Sequence, residues 1–420
     1  MAAPISRRSV LAAGAGAAAG LALPGAAAQA GGHPGTRVRF TLDAETLDGG
    51  EQVTSLTLAT GRLGRIDPAG LTSGTFRVHA KATSPIPIAP GDQIFSEYDL
   101  DRPVTAVRVD RHGDVVLDLA YAEGQVGGGT LGYIASRGRN VRLNLVYTVT
   151  QTTPIVVRGR PVTLELVQGA LSNPEVDAFA YRVSGSGMKY RLYSPSRRSA
   201  GRRGSPLVVW LHGGGEGASL PDDYYDNETT LRANRGALGF ATAEAQRIFG
   251  GAYVVAPQST SFWLADGDRF APQIREIVRD LTRRHPIDPE RISVVGCSNG
   301  GYMSLKMTTV YPGLFAASVP ICGVVEPLEP GGPPMITDAE LRHIRTPTWL
   351  VASLDDDTVP PQANTVHAHD LIPRSRASLY DHVIWDGHQF PGHWSWIYVA
   401  RNDPSDHGTH IWQWMARQRS

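Results

Sequence analysis

The chain has 420 residues, 40 Lys+Arg against 40 Asp+Glu, with 41% hydrophobic and 19% charged residues. That length exceeds one ordinary hydrophobic core and points to two domains plus a leader. The balanced charge excludes a basic nucleic-acid stripe and an acidic solvating tail.

Residues 1–30 read as a twin-arginine signal peptide. Ser6-Arg7-Arg8-Ser9-Val10-Leu11 precedes an uncharged Ala/Gly/Leu run, and Ala28-Gln29-Ala30 is a small-residue cleavage site. Without Arg7 and Arg8 the remaining chain carries two more acids than bases. The run is too rich in Ala and Gly for a membrane span. The expectation is a secreted, extracytoplasmic protein, delivered by the twin-arginine machinery and without a membrane anchor.

From Thr36 to about Val167, short stretches alternate with period two. Val38, Phe40 and Leu42 alternate with Arg37, Arg39 and Thr41, and the pattern recurs at 53–58, 75–80, 104–109, 140–147 and 162–166. Gly, Pro and Asp clusters separate them. Such spacing predicts an all-β sandwich over residues 31–172, without a catalytic constellation of its own.

After Leu171-Ser172-Asn173-Pro174 the pattern changes. Pro206–Leu211, Ala252–Ala256, Arg291–Gly296, Ala316–Cys322 and Pro347–Ala352 are continuous apolar runs, as strands buried on both faces require. Tyr190–Tyr193 is a further strand, and His382–Trp385 is expected to be the last. Asp268–Arg284 has apolar residues at helical spacing and stops before Pro286. Thr337 with Glu340 forms a capping box. Strands alternating with helices over 173–420 predict a mostly parallel sheet covered on both faces.

The sharpest chemical signal is Gly296-Cys297-Ser298-Asn299-Gly300-Gly301, a G-x-S-x-G between a buried strand and a helix. The tight turn needs small neighbours and pushes the Ser298 hydroxyl out as a nucleophile. Leu211-His212-Gly213-Gly214-Gly215-Glu216 also follows a buried strand. It offers backbone N–H groups for an oxyanion hole, assigned to Asn299 and to Gly213 or Gly214. A nucleotide loop would need an acid at a strand end about 20 positions on, which is missing.

A serine nucleophile needs a base and an orienting acid, on this fold in the order Ser, Asp, His. Asp355, Asp356 and Asp357 follow strand Pro347–Ala352. The pattern Asp-x-x-Val-Pro selects Asp356, with Asp355 second. His382, His388, His393 and His407 are the candidate bases, His393 leading and His388 next. His367, His369 and His382 lack a carboxylate at ligand spacing, so no metal is expected, and acyl transfer by this set needs no cofactor. Trp263 is a candidate for the pocket wall, with a core position as the alternative. The Pro/Gly-rich segment 325–335 is a candidate cover. Cys297 and Cys322 end adjacent strands, about 5 Å apart by strand spacing. They form a candidate disulfide, with two buried thiols as the alternative.

Together with Ala233-Asn234-Arg235-Gly236-Ala237, Val255-Ala256-Pro257-Gln258 and His393-x-x-Trp396, these motifs resemble exported bacterial carboxylesterases with an immunoglobulin-like N-terminal domain. These are related to prolyl-oligopeptidase-type and polyhydroxybutyrate-depolymerase-type hydrolases. The resemblance implies an α/β-hydrolase fold and a Ser298–His393–Asp356 triad. It also favours His393 over His388, because the family's base precedes a Trp by three residues. One departure is Asn299, where Met or Ala is frequent; its side chain is expected near the acyl pocket. A carboxylesterase acting on small or polymeric esters is the leading reading. A serine peptidase and a polyester depolymerase are the alternatives. About 140 residues are too few for a gating propeller, which favours the esterase.

Overall fold

In the computed structural model, residues 36–196, 204–218 and 225–420 are described. The twin-arginine segment lies outside the described residues.

The alternating stretches of the first part form two facing sheets. One has five strands, in the order Leu164–Ser172, Thr36–Leu47, Gly50–Leu58, Val115–Leu119 and Val104–Val109; the other pairs Asn144–Gln151, Phe76–Thr83 and Tyr98–Arg102. Their inward residues, among them Phe40, Leu56 and Leu117 from one sheet and Phe76, Val78 and Tyr147 from the other, share one core. This is the packing that period-two patterning dictates. One expected strand divides. Residues 140–147 split at Leu143 into Arg139–Arg142, which pairs with Leu131–Ile134, and Asn144–Gln151 in the three-stranded sheet. Alternation alone cannot reveal a change of partner.

The second part is built on an eight-stranded sheet, as expected for an α/β-hydrolase. Its order is Phe179–Val183, Lys189–Tyr193, Tyr253–Pro257, Ser205–Leu211, Ile287–Cys297, Ala317–Ile321, Trp349–Ser353 and Arg376–Tyr380. The first two strands are antiparallel to their neighbours and the rest run parallel. Strand alternation divides the apolar runs between two cores. Leu207, Val209 and Leu211 pack with helices Gly267–Arg284 and Asn299–Val310, whereas Val208 and Trp210 pack with Gly236–Ala241, Ala243–Phe249 and Ile411–Arg417. The Thr337–Glu340 capping box is present.

The last sheet strand differs from expectation. It is Arg376–Tyr380, a half-exposed edge strand whose sequence has no apolar run. His382–Trp385 instead contributes Val383–Trp385 to a small hairpin with His388–Phe390.

Thr36–Ser420 forms one packed unit. The turn between the first two strands is fastened to the second part by charge. Arg401 makes two hydrogen bonds to Asp48, at 3.0 and 2.8 Å. Arg232 pairs with the fully buried Glu51, which also accepts from Asn173 Nδ2 at 2.7 Å and Thr130 Oγ1 at 2.6 Å. Arg235 donates to the Thr46 carbonyl at 2.6 Å. Removing one partner of a buried pair strands the other charge. Glu51→Ala is therefore expected to lower unfolding free energy by about 3–5 kcal/mol in urea titrations. Arg401→Ala leaves the buried Asp48 carboxylate without its partly exposed partner and is expected to cost about 1–3 kcal/mol.

Candidate active site

Ser298 stands between strand Ile287–Cys297 and helix Asn299–Val310 with φ 53° and ψ −115°. A non-glycine residue holds such a conformation only where its surroundings enforce it. Its N–H donates to the Ile321 carbonyl at 2.8 Å, and its carbonyl accepts from Tyr302 N–H at 3.0 Å. A Cβ at Gly300 would overlap the Leu211 carbonyl, and one at Gly296 would overlap Gly300. The motif's glycines thus let the helix press against the two central strands. As the first helical residue, Asn299 has a backbone N–H without an intrahelical acceptor.

The Asp-x-x-Val-Pro pattern is an acid-holding turn. Asp356 is buried; its Oδ1 accepts from the N–H groups of Thr358 and Val359, both at 2.9 Å. That leaves Oδ2 to accept from His393 Nδ1 at 2.8 Å. Asp355 points elsewhere, to the exposed His382 at 2.8 Å. His388 lies on the hairpin and stacks edge-on against Phe390, and His407 is exposed. The His393 ring meets Trp396 edge-to-face at 5.7 Å, which gives the His-x-x-Trp spacing a packing role. Burial disfavours the His393 imidazolium, but Cys322 and the Asp356 carboxylate outweigh it and raise the pKa above the free value of 6.5.

Ser298, His393, Gly213 and Gly214 line one cavity of about 740 Å³. Among the described residues no hydrogen bond joins Ser298 to His393; in ligand-free sites such contacts are often loose. Beneath the glycine loop lies His212, fully buried. Its Nε2 accepts from the Ser259 N–H at 3.0 Å, so Nδ1 carries the proton donated to the Gly213 carbonyl at 2.6 Å. Burial pushes its pKa down to about 4. Glu216 borders the same cavity, and burial pushes its pKa up to about 7.

Several expectations change. Trp263 is buried in the core, donating to the His212 carbonyl at 3.1 Å; its neighbour Phe262 lines the cavity instead. The Asn299 side chain is turned from the cavity and accepts from Leu264 N–H at 2.8 Å. Cys297 and Cys322 are free thiols, not a disulfide. Cys297 lies opposite Ile321, so Cys322 is one residue out of register on a pleat that alternates sides. Cys322 has φ 40° and its thiol donates to the His393 carbonyl at 3.3 Å. Cys322, Asp356 and His393 put donor atoms within 4.8 Å of one another, a set that could hold a cation only by breaking the His393–Asp356 bond. Segment 325–335 contributes no cavity residue. The opposite wall comes from the first part of the chain, at 49–52, Ser96, 124–127, Gly129, Leu131, Tyr133, Gly138 and Asn140. The sequence carried no signal for this wall, because loops that meet only in three dimensions share no spacing.

The model of the prolyl oligopeptidase family matches residues 258–330. A putative esterase, NocK, of Nocardia uniformis subsp. tsuyamanensis is 30% identical over 141 residues, 34% of this chain and 39% of that protein. Poly(3-hydroxyalkanoate) depolymerase C of Paucimonas lemoignei is 31% identical over 132 residues, 28% of each chain. The chain thus spans well under half of either relative. The crystal structure of a thermostable esterase superposes with TM-score 0.71 at 23% identity, over 91% of this chain and 99% of that one. The α/β-hydrolase fold is shared with it.

Two outcomes follow from the site's electrostatics. A base of raised pKa acts only when deprotonated, so the acid limb of kcat/KM should lie above pH 6.5. Asp356→Asn should move that limb down and lower kcat about 10²- to 10⁴-fold, measured in pH profiles. His212 is neutral in the fold and ordinary when unfolded. Its contribution to stability is present above pH 6.5 and is lost as pH falls through about 4. His212→Asn should flatten that part of the stability profile in thermal unfolding followed across pH.

Proposed function

We propose that the protein is an exported serine hydrolase that cleaves carboxylic esters through an acyl-enzyme. The observation that carries this reading is the exposure to one cavity of the strained Ser298 and of His393, whose Nδ1 is bound to a buried carboxylate, beside the Gly213–Gly214 loop. His393 Nε2 takes the Ser298 proton as Oγ bonds to the ester carbonyl carbon. The oxyanion that forms accepts from backbone N–H groups of Asn299 and of Gly213 or Gly214. When the tetrahedral carbon collapses, the ester C–O bond breaks and the leaving alkoxide takes the proton from His393. Water then adds to the acyl-enzyme by the same route in reverse, releasing the acid and restoring Ser298.

The proposal includes export by the twin-arginine signal of residues 1–30 and an immunoglobulin-like accessory domain over 31–172. It is supported by Ser6–Leu11, Ala28–Ala30 and the shared core of the two facing sheets. The similarity to an esterase and to a polyester depolymerase agrees with ester substrates.

The test compares the protein with Ser298→Ala on nitrophenyl acyl esters and on Ala and Pro nitroanilides. Nitrophenol release lost by at least about 10³-fold in the variant is expected. Nitroanilide cleavage alone would assign a peptidase, and equal activity in both proteins would overturn Ser298 as nucleophile.

A further inference from the structure

The cavity wall supplied by the first part of the chain is not passive. Strand Arg139–Arg142 is latched to the glycine loop, Asn140 Nδ2 donating to the Gly215 carbonyl at 3.2 Å. Its partner strand Leu131–Ile134 thereby carries Tyr133 to the loop's edge, where a Cβ on Gly215 would lie 3.6 Å from Tyr133 Cε2. Phe262 reaches the neighbouring residue from the second part of the chain; a Cβ on Gly214 would lie 3.4 Å from its Cε1. Gly138 lies between them, its Cβ position 3.6 Å from Phe262 Cζ and 3.7 Å from Tyr133 Oη.

Both rings are open to solvent, Tyr133 at 39% and Phe262 at 38%. Exposed aromatics converging on a concave site usually mark a binding surface. Here they converge on Gly214 and Gly215 of the glycine loop. The volume of about 740 Å³ accommodates a ligand well beyond a short acyl chain.

We infer that Tyr133 and Phe262 form an aryl-binding subsite shared by the two parts of the chain, which selects aromatic esters. The inference rests on the ester-cleaving reading above. A flat ring laid over the exposed faces of the two side chains gains stacking or edge contacts with both, and these contacts are lost when either is truncated.

The test measures kcat/KM for 2-naphthyl acetate and methyl acetate in the wild type, Tyr133→Ala, Phe262→Ala and Tyr133→Phe, with thermal melts confirming that each variant is folded. The ratio of aryl to methyl ester should fall about 3- to 10-fold in each alanine variant. It should stay within about twofold of wild type in Tyr133→Phe, which keeps the ring. A ratio unmoved by both alanine substitutions would overturn the subsite. Persistence of all activity in Ser298→Ala would instead sink the underlying reaction, whatever the ratios.

Discussion

Ser298 is held in a conformation that its own side chain disfavours, and much of the site is arranged around that fact. A strand must end, reverse into a helix and leave no room between them. Gly296 and Gly300 meet the demand by having no Cβ to collide with backbone carbonyls. The helix Asn299–Val310 can then start at the sheet's edge and direct the first of its free N–H groups toward the serine's side of the fold. Strain of this kind persists only when packing over-determines it. The packing comes from two cores, one on each face of the central strands.

The groups beside Ser298 are fixed by distinct local devices. Asp356 is pinned by two backbone donors of its own turn, so one oxygen remains for His393. The glycine loop is propped from below by a neutral histidine whose tautomer is dictated by the Ser259 N–H. In both cases the buried polar atoms are satisfied from close by, which keeps the site rigid without burying an unpaired charge.

The other half of the cavity depends on longer-range charge. Arg232, Arg235 and Arg401 project from the α/β part to Glu51, the Thr46 carbonyl and Asp48 at and beside the turn of the first two strands. The buried Arg232–Glu51 pair adds little net stability, but it penalises any other docking of the two parts. The β-rich part is thus held where its loops close over the reactive serine, so a region without catalytic residues takes part in shaping what can bind.

The sequence by itself determined the elements whose chemistry is local. The buried strands, the long amphipathic helix, the capping box and the Ser298 turn all follow from short-range pattern, because strand and helix periods and the need for glycine act over a few residues. Asp356 was legible for the same reason, its spacing to Val359 being one hydrogen-bonded turn. Only tertiary structure decided the rest. The edge strand Arg376–Tyr380 has no apolar run, because one of its sides faces no partner strand. The choice of Phe262 over Trp263 for the cavity turned on which way a short 3₁₀ segment faces. Cys297 and Cys322 were set apart by a one-residue offset in register that strand spacing cannot reveal. The cavity's second wall lies more than 150 positions from Ser298 in the chain, and no periodicity extends so far; contact at that range is set by packing and charge in three dimensions.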